Sequence, residues 1–295
     1  MKLLFYAALF FGIHASAHAH HECTPEEPTS IGELADDHRA ILIGELHGTR
    51  EMPAAFLHIV DELTEVERSV VIAIEHKATL QGQFDQLFAS ETSARARQRF
   101  EEISTNDGRS SEAMKALMVG LWSLIKSGRK IEVVAVDYWW GDDPNEERML
   151  PDWVAPEVDQ KASIRDVRMG QNSLAACEVR DCDLLLYFAG NFHTNTKISM
   201  GGSWNAGTQT FERKPVAPAG HIISHQHPTA AIYLTHRGGE FYANTGNGMQ
   251  PNAIRGSSPK YVVEDMVPYC SYGPIRSHQY VMSVGEISSS VDLSE

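Results

Sequence analysis

Residues 40–49 read Ala40-Ile41-Leu42-Ile43-Gly44-Glu45-Leu46-His47-Gly48-Thr49, an unbroken apolar run that passes through glycine into an acid and then a histidine. A continuous apolar run of this length is what a strand covered on both faces looks like. The same texture recurs at Val70 to Ile74, at Val133 to Val136 and at Leu184 to Ala189. Between these runs the period changes. Met52, Phe56, Ile59, Val60 and Leu63 fall at helical spacing, with Pro53 tolerated in the first turn. Met114, Leu117, Leu121 and Leu124 form a second stripe, and Val167, Leu174 and Ala175 a third, opened by the capping-box pattern Ser163-x-x-Asp166. Strand and helix in alternation predict an α/β fold: a mostly parallel sheet flanked by helices, in three layers.

Beyond Gly201 the chain turns to Gly, Pro, Asn and Ser, with short strand-like pieces at Ala230 to Thr235, Glu240 to Ala243 and Tyr261 to Val263. Gly238-Gly239 reads as a hairpin between the first two, and the region as an irregular antiparallel C-terminal edge of the same domain. Residues 288–295 are polar and without a stripe, and are expected to be a flexible tail. There is no internal repeat. One α/β domain over residues 20–287 accounts for the length.

Residues 1–19 have the form of a cleavable secretory signal: Lys2, an apolar stretch from Leu3 to Ile13, then Ala15 and Ala17, with cleavage after Ala17 or Ala19. The apolar stretch is about half of the roughly 20 residues a membrane span needs. The expected location is therefore periplasmic or secreted, with no membrane span in the mature chain. A formal charge of -14 repels phosphate backbones, which argues against nucleic acid as a partner. Cys23, Cys177, Cys182 and Cys270 are an even number in a chain bound for an oxidising compartment, which favours disulfides. Cys177 with Cys182 and Cys23 with Cys270 is one of three possible pairings.

Each apolar run ends in polar groups: Gly44-Glu45-Leu46-His47-Gly48-Thr49, then Glu75-His76, then Asp137, then Gly190-Asn191-Phe192-His193. In open α/β sheets ligands bind in the crevice outside the carboxyl ends of the strands, so these four sets are expected to share one cleft. Glu45, His47, Glu75 and His193 are the candidate catalytic residues. Of the neighbours Glu75 and His76 only one can face a given site, because adjacent strand residues point opposite ways.

The motifs Gly44-Glu45-Leu46-His47-Gly48-Thr49-Arg50-Glu51, Glu75 after the second run, Arg165-Asp166-x-x-Met169-x-x-Asn172 on a helix, and Gly190-Asn191-Phe192-His193 resemble, in order and context, the erythromycin esterase, ChaN and Tiki/TraB superfamily. The resemblance covers roughly Ile31 to Thr196. It implies an α/β fold with a cleft lined by these motifs, and moves Arg165 toward a site role, pairing with a substrate carboxylate or a site glutamate. The superfamily spans a macrolide-lactone hydrolase, a metal-dependent membrane protease and a haem-binding lipoprotein, so fold alone does not set the activity. Against that resemblance, the chain is expected to lack the extra helical region of the macrolide esterases, the anchor of Tiki and the lipidation signal of ChaN.

An imidazole beside two carboxylates suits general-base activation of water. In that reading His47 takes the proton, Glu45 or Glu75 orients it, and His193 with Asn191 polarises the carbonyl of a small-molecule or peptide ester, lactone or amide. The same four residues offer nitrogen and oxygen donors suited to zinc, manganese or cobalt, and His47 or His193 could serve as a haem ligand in a protein without catalysis. Asp166 is assigned to the cap with Ser163. The loop Asn106-Asp107-Gly108-Arg109-Ser110-Ser111 is assigned to a turn and helix start. His221, His225 and His227 could share a strand face, although Pro228 interrupts it. His18 to His21 would bind copper or nickel if cleavage freed the amine of His18. No Gly-x-Ser-x-Gly elbow is present.

Overall fold

The computed structural model describes residues 29–103, 109–138, 150–154, 156–205, 210–244, 249–256, 267–268, 278–291 and 293. The signal segment, the histidines before Cys23, the strand-like piece at Tyr261 and the Cys23–Cys270 pairing lie outside the described residues.

The described chain opens with α1 (Ile31–Asp37), capped by Ser30, and then alternates. β1 (Ala40–Glu45) leads through α2 (Glu51–Leu63) to β2 (Val70–Lys77). Three helices follow, α3 (Gln81–Phe88), α4 (Ser93–Glu102) and α5 (Glu112–Lys126), before β3 (Ile131–Asp137), α6 (Gln160–Arg180) and β4 (Leu184–Gly190). β5 (Ser199–Asn205) and β6 (Thr210–Val216) make a small antiparallel pair, and α7 (Ala219–Gln226) leads to β7 (Thr229–Thr235). A second antiparallel pair is β8 (Gly238–Asn244) with β9 (Met249–Arg255), followed by β10 (Val267–Pro268) and β11 (Tyr280–Ser283).

The main sheet has the order β10-β11-β7-β1-β4-β2-β3. Six of its strands run parallel, and β10 joins β11 antiparallel at the edge. β4 lies between β1 and β2, so the ends of the first four strands stand side by side at one rim.

Successive strand residues face opposite layers. Ile41, Ile43, Ile72, Ile74, Leu186 and Phe188 pack with Met52, Phe56, Ile59, Leu63, Leu117 and Leu121 of α2 and α5. Leu42, Val71, Ala73, Leu185 and Tyr187 pack on the other side with Val167, Met169, Leu174, Ile222 and Ile223 of α6 and α7. Strands covered on both faces explain the unbroken apolar runs. Among the described residues no helix is long and apolar enough to cross a membrane.

Four expectations need correction. α6 starts at Gln160, not at Ser163, because Asp159 accepts a hydrogen bond from Ala162 N at 2.8 Å and caps the helix a turn earlier. Gly238-Gly239 is not a hairpin between β7 and β8. β7 is taken up by β1 and β11 on its two edges, and β8 finds its antiparallel partner in β9. His221 and His225 lie on helix α7, and His227 is its C-cap, so no strand face joins the three. The tail expected from Ser288 is ordered over its described residues: Arg50 N donates to Ser288 O at 3.1 Å, Ser290 N to Gly48 O at 2.9 Å, and Ser290 is fully buried. Hydrogen bonds to the loop after β1 and to the segment after Arg109 hold this segment, with Leu293 packed on the core, and such bonds leave no period in the sequence. Cys177 and Cys182 form a disulfide that closes the end of α6 onto β4.

Phe188, two residues before the end of β4, stacks on Phe56 of α2 with ring centroids 4.2 Å apart. Phe188→Ala should lower unfolding stability by about 3–5 kcal/mol, since the cavity lies between two close-packed layers. Urea unfolding followed by tryptophan fluorescence measures the loss.

Candidate functional site

Glu75, only 5% exposed, is the centre of the rim. Its Oε2 accepts a hydrogen bond from Gly190 N at 2.8 Å and lies 3.2 Å from His47 Nε2. Its Oε1 accepts from Arg165 at 2.9 Å and from Arg109 at 3.0 Å, and lies 3.4 Å from His193 Nε2. The outer nitrogens of both imidazoles are held as well. His47 Nδ1 donates to Glu45 at 2.8 Å, and His193 Nδ1 to Asp166 at 2.7 Å. Asp137, fully buried at the end of β3, receives Arg165 Nε at 2.7 Å on one oxygen and Arg165 and Arg109 at 2.8 and 2.7 Å on the other.

Glu45, His47, Glu75 and His193 therefore meet in one bonded cluster. His47 is the member most open to solvent, with 29% of its side chain exposed against 14% for His193 and 5% for either glutamate. Backbone geometry leaves little slack. Gly48 adopts φ +77°, and a side chain there would strike the carbonyl of Tyr242. At Gly190 an added Cβ would sit 3.0 Å from His47 Nε2. His76 points to the opposite layer, at the ring edges of Phe84 and Phe100. Asn191 is half-buried, with its N–H bonded to Glu45 O and its amide oxygen buried without a hydrogen-bond partner.

Two participants, Arg109 and Asp166, were misassigned by the sequence reading, and Arg165 pairs with a site glutamate as expected. Arg109 was assigned to a turn, and nothing local marks it as a partner of Glu75. Asp166 was assigned to a cap, but its carboxylate orients His193 and also accepts Ala219 N at 3.1 Å. Arg165 was expected to bind substrate or a site glutamate. Its guanidinium is committed to Asp137 and Glu75, which makes it a support of the site. Asn172, seven residues on, donates to Val136 O at 3.2 Å and ties the same helical face to β3.

Four carboxylates here face two guanidiniums and two imidazoles, and the charges balance when both imidazoles are protonated. Burial pulls His47 toward neutrality, but Glu75 and Glu45 outweigh it and push its pKa up to about 10. His193 is raised from 6.5 in the same way, with Asp166 and Glu75 overcoming burial and Arg165 opposing them. Burial alone would raise Glu75, yet His193, His47 and Arg109 hold it well below 4.5. A lowered carboxyl stabilises the fold above its ordinary value, and that contribution disappears as pH falls through the folded value. A raised imidazole stabilises it below 6.5, and that contribution disappears as pH rises through the folded value. The stabilisation by the network is accordingly full between about pH 4.5 and 6.5 and declines gradually outside that window.

The cluster fits a divalent cation or an axial haem ligand poorly. Both nitrogens of each imidazole already face carboxylates, and the guanidiniums of Arg109 and Arg165 fill the position beside Glu75 where a cation would sit. Among the described residues no group of three or more His, Cys, Asp and Glu side chains is arranged to hold a metal ion.

No protein-family model matches the chain, and no curated protein matches it by sequence. Solved structures do. An erythromycin esterase mutant in its open conformation matches with TM-score 0.54 at 12% identity, over 88% of this chain and 93% of its own. A Bacillus cereus protein matches with TM-score 0.59 at 10% identity, over 90% and 95%. A succinoglycan biosynthesis protein matches with TM-score 0.59 at 9% identity, over 88% and 91%. The chain shares the fold of the erythromycin esterase and of these two proteins.

Asp137→Asn should destabilise the protein by about 3–5 kcal/mol, because it removes a buried negative charge from between two guanidiniums. A thermal melt at pH 6 measures the change.

Proposed function

We propose that the protein is a hydrolase in which His47 activates water against an ester, lactone or amide of a small molecule or peptide. The observation that carries the reading is the setting of His47: Nδ1 fixed by Glu45 at 2.8 Å, Nε2 3.2 Å from Glu75, and the most open side chain of the cluster. Held at Nδ1 by Glu45 and at Nε2 by Glu75, the partly exposed ring keeps one orientation, and Nε2 takes a proton from water when it gives up its contact with Glu75. Fold similarity to an erythromycin esterase supports the reading.

At neutral pH the resting ring carries both protons, one on each carboxylate side. The neutral ring, competent to take a proton from water, is then a minor species that grows about tenfold per pH unit below its pKa. Water loses its proton to Nε2 as its oxygen bonds the scissile carbonyl carbon, and Glu75 and Glu45 stabilise the imidazolium so formed. His193 and the side-chain N–H of Asn191 then stabilise the negative oxygen; as the carbonyl re-forms, the bond from its carbon to the leaving group breaks and the proton held on His47 passes to that group. Export through residues 1–19 belongs to the same proposal, and the Cys177–Cys182 disulfide accords with an oxidising compartment.

A panel of esters and lactones, assayed with and without chelator, tests it. Hydrolysis should rise with pH from neutral toward about 10 and be indifferent to chelator. His47→Ala should lower kcat by about 10²–10⁴-fold. Glu45→Gln should move the rise to lower pH and reduce the plateau, because one of the two carboxylates that favour the imidazolium is gone. Undiminished activity in both His47→Ala and Glu75→Ala would sink the assignment.

A further inference from the structure

We infer that residues 288–291, together with Leu293, form a strap that positions the His47 loop and the Arg109 loop relative to each other. The inference rests on the placement of His47 and Arg109 in the proposed site, and extends it to residues that touch no reacting group.

On one side the strap runs antiparallel to the loop after β1. Thr49 bridges Ser289, Arg50 N donates to Ser288 O at 3.1 Å, Arg50 Nε to Ser289 O at 3.0 Å, and Ser290 N to Gly48 O at 2.9 Å. The carboxylate of Glu51, in the first turn of α2, receives Ser288 N at 2.9 Å and Ser288 Oγ at 2.6 Å. On the other side the strap meets the segment after Arg109. Ala113 N donates to Ser290 Oγ at 2.9 Å, Glu112 N to Val291 O at 3.1 Å, and Leu293 N to Ser110 O at 3.0 Å.

Ser290 thus bonds both loops at once, through its N–H to one and its hydroxyl to the other, with no exposed surface. His47 lies one residue from the first set of bonds and Arg109 one residue from the second. Both side chains converge on Glu75, so a shift of either loop alters the partners that fix the His47 ring. Gly48 O also accepts Tyr242 N at 2.9 Å, so the strap is the second of two clamps on that peptide. The bonds between Ser288 and Glu51 are exposed to solvent, where local opening is cheapest.

The test is hydrogen exchange on the full chain carrying Glu51→Ala, with Glu51→Gln as the conservative variant. Glu51 touches neither the Arg109 loop nor Leu293 in the strap's bonding. Glu51→Ala should nevertheless speed exchange at Glu112 N and Leu293 N, as well as at Ser290 N, by about tenfold or more, with the amides of β1 and β4 unchanged. Glu51→Gln should restore protection, because its amide can accept from Ser288 N and donate to Ser288 Oγ. A chain ending at Ile287 should show both loops exchanging faster together. On any ester the intact protein hydrolyses, Glu51→Ala should lower kcat with little change in KM. Unchanged exchange at Glu112 and Leu293 in Glu51→Ala, or an equal loosening of β1 and β4, would overturn the strap. Exchange is read without substrate, so a failed hydrolase assay leaves this result standing on its own.

Discussion

A single buried carboxylate organises this molecule. Glu75 has two guanidiniums and a backbone N–H within 3.0 Å, with two imidazoles at 3.2 and 3.4 Å, at a position with 5% exposure. An ion so far from water is stable only if opposite charge and hydrogen bonds replace its hydration. The replacements come from four parts of the chain: Arg109 from the segment before α5, Arg165 from α6, Gly190 and His193 from the end of β4 and the turn after it, and His47 from the loop after β1. Ionisation of one side chain is therefore coupled to the correct docking of four segments.

The surrounding charges follow from that requirement. Two guanidiniums beside one carboxylate would be in excess, and Asp137 between them restores balance. The imidazoles are similarly flanked on their outer nitrogens by Glu45 and Asp166. The result is an alternation of acid and base along the rim, which leaves His47 oriented from both sides yet open to solvent. Its environment favours the imidazolium, so its strength as a base comes with scarcity of the neutral form near neutrality.

The strands and their polar ends were legible because a doubly covered strand must be apolar throughout and must leave the core with a polar residue. The apolar runs marked β1, β2, β3 and β4 to within a few residues, since Glu45, Glu75, Asp137 and Gly190 belong to the strands rather than to the loops after them. α4 left no stripe, with Ala96 and Phe100 as its buried residues among charged ones. Asp166 read as a cap because a carboxylate three residues after serine looks the same in sequence whether it bonds a helix end or an imidazole. Arg109 could not be seen at all: its partners are 34 and 28 residues distant, and no periodicity encodes that separation. The swap of a β7–β8 hairpin for a β8–β9 pair has the same origin, for the competing edge, β1, lies far away in sequence.

The sheet order carries a consequence for how the molecule comes into being. β4 is the last of the four rim strands in sequence but lies between the first two, so β1 and β2 cannot pair with each other and must wait for residues 184–190. Until that insertion Glu75 lacks the Gly190 amide, and its acid stands among incomplete partners. During synthesis from the N-terminus the cluster around His47 thus stays unfinished until most of the chain has emerged. A protein built this way holds no finished site while nascent, without needing an inhibitory segment to keep it so.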